Sequence, residues 1–256
     1  MMRRGHRSMG MVAMAAGVLL GCFNRHALVL PDHVLQHPTR ESTEVIVSQG
    51  DDVRIDVYRP DAPGRHAAVL LLHGSGGIHG LGTQQVTRYA RTLAALGQTA
   101  LVVHYFDGTG NFIADEEAER EHYWRWVSDV RAAITWADSQ TYVNPRQLSV
   151  LGISLGAWLG VGVGAMDTRV HRLALVGAGL EPFLADSLRH VPPMLLLHGG
   201  DDEEVPVQEA RTLLAAVQRA GRRAQLVVYP AESHTLRDSA STDALLRATR
   251  FFRSRH

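Results

Sequence analysis

Ser154 stands between two glycines in Gly152–Ile153–Ser154–Leu155–Gly156, with the apolar run Leu148–Ile153 before it and a helix-like stretch after it. That context predicts a sharp strand-to-helix turn that raises the serine hydroxyl above a sheet, where it can act as a nucleophile. The glycines at minus two and plus two suit a turn so tight that side chains there would collide. The pattern alone also occurs in surface loops, so its partners must decide. A hydroxyl near neutral pH needs a base to take its proton and a third group to orient that base.

His234 is the candidate base. It lies in Pro230–Ala231–Glu232–Ser233–His234, a polar loop directly after the strand candidate Gln225–Tyr229. The later His256 ends the chain and is expected to fray. The acid is expected at the end of the preceding strand, Met194–Leu197, which runs into His198–Gly199–Gly200–Asp201–Asp202–Glu203–Glu204–Val205–Pro206. Position alone does not separate Asp201 from Asp202, and the other acids read as a solvated turn capping the next helix. Upstream, strand Ala67–Leu72 ends in His73–Gly74–Ser75–Gly76–Gly77. A backbone N–H of Ser75 or Gly76, paired with that of Leu155, would hold a developing oxyanion, each donor contributing about 3 kcal/mol. His73 reads as a structural hydrogen-bonder.

These residues require a scaffold that gathers loops at one end of a sheet. Glu44–Val47 and Val53–Tyr58 around Gln49–Gly50–Asp51 predict a hairpin. Buried strands are expected at Ala67–Leu72, Thr99–His104, Leu148–Ile153, Leu173–Val176 and Met194–Leu197, with a further strand at Gln225–Tyr229. Between them lie helix candidates Gln84–Leu96, Ala114–Gln140, the stretch to Met166, 207–220 and 242–252. The long one is acidic at its start and carries Trp126, Val130, Ile134 and Ala137 on one face. Gly156, Gly160 and Gly164 form a smooth stripe that would let a helix lie close to a sheet. Alternating strands and helices imply an α/β fold with a mostly parallel sheet covered on both faces.

The 256 residues suffice for one substantial core, and the net charge is zero. No basic patch recommends nucleic acid as a partner. All 26 basic residues are arginine. The missing lysine excludes Schiff-base chemistry, a Ser–Lys pair and a phosphate-binding P-loop. Cys22 is the single cysteine, which excludes an internal disulfide and a cysteine metal cluster. Arg3, Arg4 and Arg7 precede the apolar stretch Met9–Leu20, which is short for a bilayer span. Ending in Leu19–Leu20–Gly21–Cys22, the segment resembles the signal sequence of bacterial lipoproteins. That resemblance implies a signal peptide over 1–21, lipidation at Cys22, a tether over 22–40 and a catalytic domain over 41–256. Membrane contact would then run only through the lipid anchor, with the protein facing the periplasm or the cell exterior. The alternative is an unmodified Cys22 in a signal peptide cut by another peptidase.

The ordered set of motifs, with Tyr105–Phe106, resembles the α/β-hydrolase superfamily and within it the dienelactone hydrolase family, over about residues 65 to 256. The resemblance implies chain order Ser, acid, His, with no large cap domain. Its His-Gly-x-x-Asp-x-x-Val-Pro pattern implies Asp202 as the acid. The family's namesake has a cysteine nucleophile, so Ser154 places this chain with serine esterase-like members. The implied activity is hydrolysis of a small carboxylic ester through Ser154, Asp202 and His234, without metal or organic cofactor. Alternatives are a thioesterase or peptidase of the same fold, and a catalytically silent binding lipoprotein. A dehalogenase would need aspartate in place of Ser154. The expected site is open, bordered by Gly108–Phe112 and Glu181–Leu188, with Ala178–Val191 as a flap. Phe106, Phe112, Tyr123 and Trp158 are its candidate walls.

Overall fold

The computed structural model describes residues 39–254. The signal peptide, Cys22, His256 and nearly all of the tether lie outside them. Thr39 and Arg40, expected in the tether, instead open the first strand.

Eight strands form one sheet: β1 (Thr39–Ser48), β2 (Asp51–Pro60), β3 (His66–Leu72), β4 (Thr99–Val103), β5 (Val143–Ile153), β6 (Val170–Val176), β7 (Met194–Gly199) and β8 (Ala224–Tyr229). Their spatial order is β1-β2-β4-β3-β5-β6-β7-β8. Only the pairings of β1 with β2 and of β2 with β4 are antiparallel. The helices are α1 (Gly80–Ala95), α2 (Glu116–Ser139), α3 (Leu155–Met166), α4 (Val207–Arg219) and α5 (Asp238–Arg253). This is the α/β-hydrolase architecture, and no large cap domain interrupts the described chain.

The β1–β2 hairpin turns at Gln49 and Gly50, both with positive φ, 52° and 95°. Two such residues give the strands a turn whose twist matches their own. Both strands run longer than the alternation predicted, because Thr39 pairs with Pro60 at the far end. In the sheet centre every residue of β4 is buried. Side chains on β3 alternate between two cores, Ala68, Leu70 and Leu72 on one face and Val69 and Leu71 on the other. The first core takes α2, α3 and α4; the second takes α1 and α5. Transfer of each such leucine out of water contributes about 2 kcal/mol, which is why these runs read as strands without alternation.

α2 starts where Asp115 accepts a hydrogen bond from the Ala118 N–H at 2.9 Å. Its expected face is buried throughout, with Trp126, Val130, Ile134 and Ala137 inaccessible to solvent. The glycine stripe on α3 works by close approach. A Cβ on Gly156 would meet the Leu72 carbonyl oxygen at 2.4 Å, and one on Gly160 or Gly164 would meet Leu175 or Leu173 side chains at 2.8 and 2.7 Å. The segment after β6 forms a short 3-10 helix, Pro182–His190, rather than a lid domain.

Candidate active site

β5 is a central strand, and Ser154 follows it directly. Its backbone has φ 53° and ψ −122°, a conformation that costs a non-glycine residue about 1–3 kcal/mol. The Ser154 N–H is held by the Val176 carbonyl at 2.8 Å. A Cβ on Gly152 would stand 2.2 Å from the Gly156 carbonyl oxygen. The tight turn therefore demands the glycines that flank the serine.

His234 reaches the serine from the loop after β8. Its Nε2 lies 2.8 Å from Ser154 Oγ, and its Nδ1 lies 2.8 Å from Asp202 Oδ2. A carboxylate only accepts, so Nδ1 carries the proton and Nε2 faces the serine hydroxyl as an acceptor. Asp202 is buried. Its other oxygen accepts the N–H groups of Glu204 and Val205 at 3.0 and 2.8 Å. The structure thus brings Asp202, not Asp201, to the imidazole. Asp201 is exposed and contributes only its N–H, donated to the Glu232 carbonyl at 3.0 Å. Glu204 Oε2 lies 3.8 Å from His234 Nε2 at the solvent side.

His198 is fully buried beside this pair. Its Nε2 donates to the Val205 carbonyl at 2.7 Å and lies 3.3 Å from Asp202 Oδ2. The sequence alone assigns it no role. Its position one step before the two glycines that carry the chain toward Asp202 was the available signal.

The His73–Gly77 turn sits over the serine, and a Cβ on Gly74 would lie 3.2 Å from Ser154 Cβ. The Gly74 carbonyl accepts the Gly77 N–H at 3.0 Å and the His73 Nδ1–H at 2.8 Å. His73 also stacks on Tyr105 with ring centroids 4.1 Å apart. Burial holds its imidazolium pKa down to about 4, so the ring is neutral. These contacts fit the structural role expected of it. Leu155 opens α3, so its N–H has no intrahelical acceptor. Ser75 lines the same cleft as Ser154, Leu155 and His234, whereas Gly76 does not.

That cleft has a volume of about 980 Å³. Tyr123 and Trp158 line it as expected; Phe106 and Phe112 do not. Phe106 is buried against Tyr105 and Trp126. Phe112 stacks on His79 with centroids 3.4 Å apart and belongs to a separate cavity of about 440 Å³ with Gly110 and Asn111. Gly108–Phe112 is therefore not the border of the site. The Ala114 N–H donates to the Ser75 carbonyl at 2.8 Å, which clamps this segment to the glycine turn. The first turn of α2 faces the cleft instead, through Asp115, Glu116 and Glu119. On the opposite side the expected border holds at Glu181 and Phe183. Among the described residues no cluster of His, Cys, Asp and Glu is arranged to hold a metal ion.

Known proteins resemble this chain in sequence or in fold. An uncharacterized protein of Mycobacterium tuberculosis is 28% identical over 232 residues, covering 82% of this chain and 78% of its own. The crystal structure of a dienelactone hydrolase from Anabaena variabilis superposes with a TM-score of 0.66 at 20% identity, covering 84% of this chain and 98% of that one. P91, a dienelactone hydrolase-like promiscuous phosphotriesterase from metagenomic libraries, does so with a TM-score of 0.72 at 15% identity, covering 83% and 97%. The sequence model of the dienelactone hydrolase family matches residues 53–254. Because that match runs from within β2 to the end of the described chain and includes Ser154, Asp202 and His234, the chain belongs to the dienelactone hydrolase family.

Proposed function

We propose that this member of the family is a serine hydrolase that cleaves a carboxylic ester through an acyl-enzyme. The observation that carries the reading is the pair of 2.8 Å contacts linking Ser154 Oγ to His234 and His234 to Asp202 at the foot of an open cleft. Ser154 Oγ attacks the ester carbonyl carbon while its proton passes to His234 Nε2. The carbonyl oxygen becomes an oxyanion, held by the N–H groups of Leu155 and Ser75. As the intermediate collapses, the carbon–oxygen bond to the alcohol breaks, and the alcohol leaves with the proton from His234. Water then attacks the acyl-serine, giving its proton to His234, which returns it to Ser154 Oγ. Asp202 keeps the imidazole in the required tautomer and stabilises its charged form.

Hydrolysis of short p-nitrophenyl esters tests this. The wild type should turn over and be labelled at Ser154 by a fluorophosphonate, and Ser154→Ala should lower kcat by about 10⁴-fold or more. Absence of both turnover and labelling would leave the fold as a binding module. Export and lipidation at Cys22 remain a proposal on the signal-like residues alone. Mass spectrometry of the mature N-terminus decides it, and an unmodified start elsewhere would refute it.

A further inference from the structure

The wall of the cleft around Ser154 is strongly acidic. Asp115, Glu116 and Glu119 project from the start of α2, Glu181 from the segment after β6, and Glu204 from the turn after β7; among the described residues Arg120 is the single arginine lining the same space. Helix stability accounts for part of this. Asp115 caps α2, and carboxylates in a first turn interact favourably with the helix dipole. It does not account for Glu181, which comes from another element.

Glu119 and Glu181 are each half-buried. Neither side chain has an ion-pair or hydrogen-bond partner among the described residues. Burial pushes the carboxyl pKa of Glu119 upward, and the neighbouring Glu116, Glu181 and Asp115 push it further. Burial raises that of Glu181 as well. Desolvated, mutually repelling carboxylates weaken the fold when the cleft is empty, and a positive charge between them would relieve that cost.

The same wall carries aromatic rings. Phe183 packs edge-on to Tyr123 with centroids 5.2 Å apart and lies 5.4 Å from Trp124. Trp124 and Phe183 keep 46% and 52% of their surface exposed, and both line the cleft. Aromatic faces beside unpaired carboxylates form a cation-binding surface.

We propose that the ester taken by this cleft carries a cationic ammonium group, seated against Glu119, Glu181 and the Trp124–Phe183 rings while the carbonyl lies at Ser154. The proposal rests on the ester-hydrolase reading above and adds the substrate's charge to it. Esters bearing a carboxylate are disfavoured by the same wall.

Isosteric substrates isolate the charge. On the alcohol side, a choline ester is compared with the 3,3-dimethylbutyl ester of the same acid. On the acyl side, the p-nitrophenyl ester of 4-(trimethylammonio)butanoate is compared with that of 5,5-dimethylhexanoate. The wild type should favour the cationic member of at least one pair by about tenfold in kcat/KM, chiefly through KM. Free choline should inhibit hydrolysis of the neutral isostere competitively, whereas 3,3-dimethylbutanol should inhibit it more weakly. Glu119→Gln and Glu181→Gln should each shrink the cationic preference. Neutral esters cleaved with no charge preference in either pair, and no stronger inhibition by choline, would overturn this inference and leave the hydrolase reading intact. Failure to cleave any ester, or equal cleavage by Ser154→Ala, would overturn the hydrolase reading itself.

Discussion

Gly199 lies against the Ser233 carbonyl oxygen so closely that a Cβ added to it would stand 2.3 Å from that oxygen. Beside it, Gly200 packs on Pro230 and donates its N–H to the Tyr229 carbonyl at 2.7 Å. The loop that carries Asp202 and the loop that carries His234 are thus in backbone contact, with no side chain between them at these points. Their separation sets the 2.8 Å distance from Asp202 to the imidazole.

Gly199→Ala should therefore push the His234 loop outward without altering any group in the hydrogen-bonded row. A displacement of about 1 Å at a reacting group lowers the rate by about 10²-fold. The expected result is a kcat for p-nitrophenyl acetate reduced by that order, with slower fluorophosphonate labelling of Ser154. A variant as active as the wild type would show that the two loops move independently.

Asp201 and Asp202 offer a sharper comparison, since adjacent residues of one chemistry differ only in where they point. Asp202→Asn replaces the acceptor facing His234 Nδ1 by a group that favours the other tautomer, and should lower kcat by about 10⁴-fold. Asp201→Asn keeps the backbone N–H that holds Glu232 and should leave kcat within about twofold. Steady-state kinetics of the two variants decides it, and the reverse order would assign the acid to Asp201.

The residues legible in the sequence were those whose positions follow from short-range rules. Gly152, Ser154 and Gly156 fix a turn by sterics within five residues, and His234 follows its strand by a five-residue loop. Reading by position could not choose between Asp201 and Asp202, because the choice rests on the backbone curling so that the N–H groups of Glu204 and Val205 meet one Asp202 oxygen. Only the family pattern pointed to Asp202. The walls of the cleft were least legible. Phe112 stacks on His79 outside the cleft, and the nearby Ala114 is bonded to Ser75, 39 residues earlier in the chain. No local pattern encodes a contact of that range. The acidic start of α2 was visible, but only as a helix-dipole feature.

His73 should make the fold sensitive to acid. Its folded-state pKa, about 4, lies below the value of about 6.5 expected in the unfolded chain. Between those values the unfolded state binds the proton and the folded state does not, so stability falls as pH drops from about 6.5 toward 4. The stabilisation is fully present above that window, and the loss across it is roughly 3 kcal/mol. His73→Gln removes the titrating group. Its denaturation midpoint should change less than that of the wild type between pH 7 and 4, and parallel curves would refute the assignment.

The strain at Ser154 has a measurable thermodynamic consequence. Its φ of 53° and ψ of −122° are as unfavourable for alanine as for serine, so Ser154→Ala removes the hydroxyl but keeps the strained backbone. Glycine adopts these angles freely, at an added unfolded-state entropy cost of about 0.5–1 kcal/mol. Relief of the 1–3 kcal/mol held in the backbone should exceed that cost. Ser154→Gly is therefore expected to be more stable than Ser154→Ala by about 1 kcal/mol in urea denaturation, with both variants inactive. The turn has no other backbone alteration to compensate, because the Ser154 N–H is bonded to Val176 whatever the side chain. Equal stabilities would mean that the contacts around the turn, rather than the φ of residue 154, set the energy of the elbow.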